Sequence, residues 1–348
     1  MRNLQSFDPS IPHLERSFMI ERSSAANPSL QTFRPATPYT RMDIRLLDRE
    51  ELDRLLYDSC VHYAANGTFF GYAWMLDQLS RDWQALVEVE NEKYVSVLPL
   101  PRGRAFWRQP ALLQPELIRE IGIYSVKPMS PGRVRGFWKR LPEEYTYVDL
   151  RVEPRSKPLP TFSLEAAELD NYYLLLNRPY EELAAAAGPA YESRRDAVQE
   201  QGDLFPISGP KPEVLANLYQ EIHGADDTGG ENFHGLQRVM YQVLHRGIGF
   251  AAGVSDRAGK LLAAAFFIYS HGQVVALLDL ESPAGRAQDA RLLLYDNFLH
   301  THADRPLALD LNSPDKEWAA LLGAEHQPYY RLLRDERIGI YKSLGKFA

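Results

Sequence analysis

The feature that most restricts how this chain can fold is an ordered recurrence of elements. In each half, a hairpin leads through a strand or strand-like passage to a helix, and that helix is followed by a strand of the form apolar-apolar-Asp-Leu. The two such strands are YTYVDLRV at 145–152 and PLALDLNS at 306–313. The same element types in the same order point to duplication of one α/β module. At 348 residues, 45% of them hydrophobic, the chain can bury about two cores.

In the first half, MDIRLLD alternates as a strand, and REELDRLLYDSC puts Leu52, Leu55 and Leu56 on one helix face. FGYAWMLDQLS is a second helix candidate. WQALVEVE and YVSVLPLP flank a polar turn at Asn91-Glu92-Lys93 and read as a hairpin. The Pro- and aromatic-rich FWRQPALLQPE follows, then a short helix at GRVRGFWKRLP and the strand YTYVDLRV. The Pro-rich stretch at 152–163 is the expected domain junction. It gives domains at 42–163 and 164–348, preceded by a flexible arm at 1–41 that is rich in Ser, Pro, Asn and Arg.

The second half starts with the strand NYYLLL. A helix at PYEELAAAA stops at Gly188, and Pro189 restarts one that runs to Gly202. PEVLANLYQEIHG and FHGLQRVMYQVLHRG are further helices. GFAAGVSD and KLLAAAFFIYS form a hairpin around Arg257-Ala258-Gly259, and QVVALLDLES is the next strand. The helix DARLLLYDNFLHTHA, the strand PLALDLNS, the helix KEWAALLGA and two closing strands, QPYYRLLR and IGIYKSL, complete the order.

Composition excludes several classes. The longest apolar run, LLAAAFFIY at 261–269, falls short of the roughly 20 residues of a membrane-spanning helix and suits a buried strand. No secretory h-region is visible. A net charge of -7 argues against a broad nucleic-acid surface. Cys60 stands alone, so no intrachain disulfide forms and a reducing, cytoplasmic setting is expected. No metal is expected: His300 and His302 point to different helix faces, and His223, His234 and His245 are scattered. No G-x-S-x-G elbow occurs.

Three stretches carry a family likeness: SRRDAVQEQG (193–202), GKLLAAAFFIYSHGQVVALLDLES (259–282) and LALDLNSPDKEWAALLGAEHQPYYRL (307–332). With the element order, they make residues 43–348 resemble the tandem GNAT acyltransferases of the Fem type. The resemblance implies an α/β (α+β) fold of two GNAT-like domains, each a mixed, mostly antiparallel sheet flanked by helices. It implies transfer of an acyl or aminoacyl group from an activated donor, acyl-CoA or acetyl-CoA, to an amine on a small molecule, lipid, peptide or cell-wall precursor. Two alternatives stand beside it: a non-catalytic GNAT-like binding or scaffold protein, and an aminoacyl-tRNA-dependent ligase. After Arg194-Arg195, where tRNA-using relatives stay basic, this chain runs Asp196, Val198, Gln199, Glu200, which weakens the tRNA reading. The phosphate-cradling Gly-rich loop of simple GNAT enzymes has only a degenerate counterpart, SPAGRAQDA at 282–290.

Candidate residues follow from these segments. A helix N-terminus offers unpaired N–H groups to an anion, so Ala284, Gly285, Arg286 and Ala287 are the expected donor-phosphate loop, with Arg291 adding charge. Asp279 and Glu281 lie two apart on one strand, as Asp310 and Asn312 do on its neighbour. In GNAT-like folds the gap between these strands takes the donor, so Asp279 or Glu281 is the expected base and Asp310 and Asn312 the expected substrate contacts. Tyr329 is a candidate acid or carboxylate ligand. Arg194 and Arg195 either orient an anionic group or serve structure, one of them in a local pair with Glu192.

Overall fold

The computed structural model describes residues 42–80, 82–105, 109–160, 162–223 and 231–336. The expected arm at 1–41 and the closing strand IGIYKSL lie outside the described residues.

The first half begins with β1 (Asp43–Asp48) and α1 (Arg54–Tyr63). Asp53 caps α1 by accepting the N–H groups of Leu55 and Leu56, each at 3.0 Å. After α2 (Ala73–Leu79), β2 (Asp82–Glu90) and β3 (Lys93–Arg104) form the expected hairpin. Its turn residues Asn91 and Glu92 both have positive φ, at 50° and 61°, the handedness that matches strand twist. β4 (Pro110–Leu113), β5 (Tyr124–Ser125), α3 (Pro131–Trp138), β6 (Tyr147–Val152) and β7 (Glu165–Leu169) follow.

The second half runs β8 (Tyr172–Leu175), α4 (Tyr180–Ala187), α5 (Pro189–Gln201), β9 (Phe205–Ser208), α6 (Pro212–His223) and α7 (Glu231–Arg246). Gly188, at φ 90°, separates α4 from α5, a backbone state an L residue adopts only under strain. Next come β10 (Gly249–Ser255), β11 (Leu261–Ser270), β12 (Gln273–Glu281), α8 (Pro283–Arg286) and α9 (Ala290–His302). β13 (Ala308–Asp310), α10 (Lys316–Leu321), β14 (Glu325–His326) and β15 (Tyr329–Asp335) close the order.

Two sheets result. The first has the order β1-β2-β3-β4-β6-β15-β7, with β5 also pairing β3; the second has the order β14-β8-β13-β12-β11-β10-β9. The recurring apolar-apolar-Asp-Leu strand has the same role in both. β6 pairs in parallel with β4, and β13 in parallel with β12. Most other pairings are antiparallel, so both sheets are mixed, as the duplicated module requires.

The apolar run in β11 is buried on both faces. Ala264, Phe266 and Ile268 enter the core shared with the first half, while Ala263, Ala265 and Phe267 pack beneath α9. One strand departs from the sequence expectation. β15, expected to close the second sheet, instead lies between β6 and β7 in the first. Leu332 fits the placement: it pairs with Leu150 and is fully buried in the core that the two halves share.

Candidate functional site at the junction of the two sheets

β12 and β13 pair only at Gln273–Ala308, Val274–Leu309 and Val275–Asp310. Beyond Val275, β12 continues to Glu281 without a strand partner on that side among the described residues. The register of β12 against β11 also slips here: Phe267 faces Ala276 and Phe266 faces Leu278, so Leu277 is the extra residue of a β-bulge. Leu277 lines a cavity of about 160 Å³ whose other walls include Arg119, Arg151, Asp170, Asn312 and Tyr329.

Both halves build this cavity. Arg119, on the loop after β4, donates to Asp310 at 2.6 Å and to Glu120 at 2.9 Å. All three side chains are at least nine-tenths buried. Asp310 also accepts from Asn171 Nδ2 at 3.0 Å and from the backbone N–H of Asn312 at 2.9 Å, while its Oδ2 is buried without a partner. Burial pulls the Arg119 pKa down, but the two carboxylates outweigh it and raise the value, so the cation persists. Two carboxylates share this one guanidinium. Burial, with Asp310 and Glu153 as further like charges, therefore leaves the Glu120 carboxyl above its usual range despite Arg119.

Arg151 is set differently. Its Nη2 donates to the carbonyls of Pro115 at 2.6 Å and Ile118 at 3.0 Å, with a longer contact to Gln114 O at 3.4 Å. Among the described residues no carboxylate pairs with it, and burial lowers its pKa. Tyr329 closes the wall with its ring 5.9 Å from the Arg119 guanidinium. Burial raises the phenol pKa against the pull of both arginines, so the O–H stays protonated.

The sequence candidates divide. Tyr329 and Asn312 line the cavity, and Asp310 lies against it through Arg119. Asp279 and Glu281 do not line it. Asp279 turns toward α9, where its Oδ2 accepts from Arg291 Nη2 at 2.5 Å and Tyr295 Oη at 2.8 Å. The Arg291 guanidinium also stacks 4.1 Å from the Trp318 ring. Glu281 accepts the backbone N–H of Arg291 at 3.1 Å, so a carboxylate of the protein occupies the N-terminus of α9.

The loop at 284–287 is likewise closed on itself. Gly285 N–H donates to Ser282 Oγ at 3.0 Å, Arg286 N–H to Ser282 O at 2.9 Å and Ala287 N–H to Pro283 O at 3.2 Å. Gly285 is needed for packing, since a Cβ there would sit 2.5 Å from the Leu262 carbonyl oxygen. These residues do not fit a CoA pyrophosphate: three N–H groups of the turn are taken, and Glu281 caps the helix behind it. Arg194 and Arg195 stand apart from the cavity. Arg194 pairs with Asp289, and Arg195 with Asp196 at 2.8 Å and Tyr180 Oη at 3.3 Å. The expected local pair of Arg195 with Glu192 gives way to Asp196 and Tyr180, while Arg194 faces Asp289 at the start of α9.

Sequence reading missed Glu116, Arg119 and Arg151 because it placed the chemistry in the second half, and within that half it missed Asp170. The available signal was Arg119-Glu120 set between Ile118 and Ile121, charges inside an apolar stretch. Among the described residues no group of three or more His, Cys, Asp or Glu could hold a metal ion, and no helix is long and apolar enough to cross a membrane.

No family model matches the sequence, and no curated protein matches it. Solved structures do. FemX superposes with a TM-score of 0.56 at 10% identity, covering 87% of this chain and 100% of its own. A conserved protein of unknown function from Bacteroides thetaiotaomicron superposes at 0.53 with 11% identity, covering 84% of this chain and 99% of its own. The two linked α/β modules thus share the fold of FemX.

Proposed function

We propose that the protein transfers an acyl or aminoacyl group from an activated donor to an amine, with the reaction at the junction cavity. The observation that carries this is the parting of β12 from β13 beside the bulge at Leu277. It leaves an unpaired strand edge, against which an extended donor arm can form main-chain hydrogen bonds. The cavity next to that edge supplies the remaining chemistry. The ammonium of the acceptor passes its proton to a wall carboxylate, Asp170 or Glu116, and the free amine attacks the acyl carbon. Charge then develops on the carbonyl oxygen and on the leaving group. Tyr329, which burial keeps protonated, is an O–H in the wall that donates to it.

The donor is not anchored at 284–287. Calorimetry with CoA and acetyl-CoA checks this: binding that weakens in Arg286→Ala would restore the loop as a phosphate site. Transfer itself is read by mass spectrometry of amines incubated with acyl-CoA panels and with charged tRNA. Tyr329→Phe is expected to lower the rate about 10²-fold with acceptor binding retained. The commitment of Asp279 to Arg291 and Tyr295 favours a second reading, a binding protein without catalysis. Acceptor binding with no transfer from any donor supports that reading instead.

A further inference from the structure

We propose that the junction cavity is a receptor for a free α-amino acid, its carboxylate on Arg151 and its ammonium toward Asp170 and Glu116. This deepens the transfer reading by naming the acceptor class.

The charge pattern of the wall leads there. Each neighbouring arginine is compensated: Arg119 by Asp310 and Glu120, and Arg331, across the β6–β15 pair, by Asp149 at 2.5 Å. Arg151 has no such partner among the described residues. Its side-chain hydrogen bonds all leave from Nη2 and end on neutral carbonyls, which fix the fork in place without neutralising it. Asp149 and Glu116 act on this half-buried cation only at a distance, without pairing with it, and a carboxylate from outside completes it with a two-pronged hydrogen bond. The same cavity carries carboxylates of its own. Asp170 gives one oxygen to His326 at 2.7 Å, and its other oxygen has no partner among the described residues. Glu116 also lines the wall, within electrostatic reach of Arg151. A doubly charged phosphate on Arg151 would face both of these acids, whereas a ligand carrying one carboxylate and one ammonium satisfies the whole wall.

Size and polarity agree. The volume of about 160 Å³ is close to that of cavities that hold a single benzene ring, and well under the ~300 Å³ at which pockets for larger ligands begin. An amino acid of modest size fills it. Leu117 and Leu277 give its side chain an apolar wall.

The test compares each common amino acid with its α-amide by calorimetry on the unmodified full chain. At least one acid is expected to bind at least about tenfold more tightly than its amide. Arg151→Gln should abolish that preference and Arg151→Lys should restore part of it. Asp170→Asn should weaken amino acids while leaving their N-acetyl derivatives unchanged. Because Nη2 also ties residues 115–118, thermal melts accompany each variant, and the acid–amide comparison stands without any of them. No binding of any amino acid at millimolar concentration overturns the proposal, as does equal binding of acid and amide. Binding of inorganic phosphate in place of amino acids overturns it too. Acid-selective binding without transfer would sink the transfer reading alone. Transfer to amines without acid selectivity would sink this inference alone.

Discussion

At the residue scale, His302 shows how burial sets a pH response. Its Nδ1 lies 2.9 Å from Phe298 O, which can only accept, so Nδ1 carries the proton and Nε2 accepts from Tyr269 Oη at 2.6 Å. The ring stacks on Phe298 at 4.1 Å, and burial lowers its pKa below 6.5. The unfolded chain therefore binds this proton at a higher pH than the folded one. The contribution is full above pH 6.5 and is lost as pH falls from there through the folded pKa. The expected slope is up to ~1.4 kcal/mol per pH unit in that window. Denaturant melts of His302→Gln and the unmodified chain should differ in slope there and run parallel above it. Residue-scale reading of the sequence was least complete for the charges. Tyr329 and Asn312 were found at the cavity, but Arg194 meets Asp289, 95 positions away, and nothing local to 189–202 announces that.

At the element scale, the turn 282–290 separates resemblance from chemistry. Its Gly and its position between a long strand and a helix match a phosphate loop, yet Ser282 and Glu281 satisfy the turn and the helix behind it. Gly285→Ala is expected to cost about 1–3 kcal/mol, because the added methyl meets the Leu262 carbonyl and the strand must shift. Anion binding should be unaffected. A variant of unchanged melting temperature with weakened anion binding would reverse that assignment. Hairpins, caps and the Gly188-Pro189 break were legible because local dihedral and hydrogen-bond preferences determine them. The bulge at Leu277 was not, since it depends on register against β11.

At the scale of the whole molecule, the two halves are bound by a strand and by a charge cluster. β15 is supplied by the second half and completes the first sheet, so a cut at residue 163 leaves β6 with β4 alone as its neighbour. Fragments 42–163 and 164–348 expressed apart should lack a cooperative melt, and mixing should restore one; independent cooperative unfolding of 42–163 would contradict this. Arg119→Met leaves Asp310 and Glu120 buried without their cation and should cost about 3–5 kcal/mol. Adding Asp310→Asn and Glu120→Gln should recover part of the loss, read from the same melts.

The sequence by itself determined the class of the elements, their order and the duplicated module, because hydrophobic period, turn chemistry and strand length are local properties. It also located the strand pair whose parting opens the cavity. Only the tertiary structure decided which strand completes which sheet and which charges face one another. Arg119, Arg151 and Asp170 reach Asn312 and Tyr329 across long stretches of chain, and such meetings follow from packing two faces together. The carboxylates read as chemistry in β12 went to cap and brace α9, because buried N–H and guanidinium groups there had to be satisfied first.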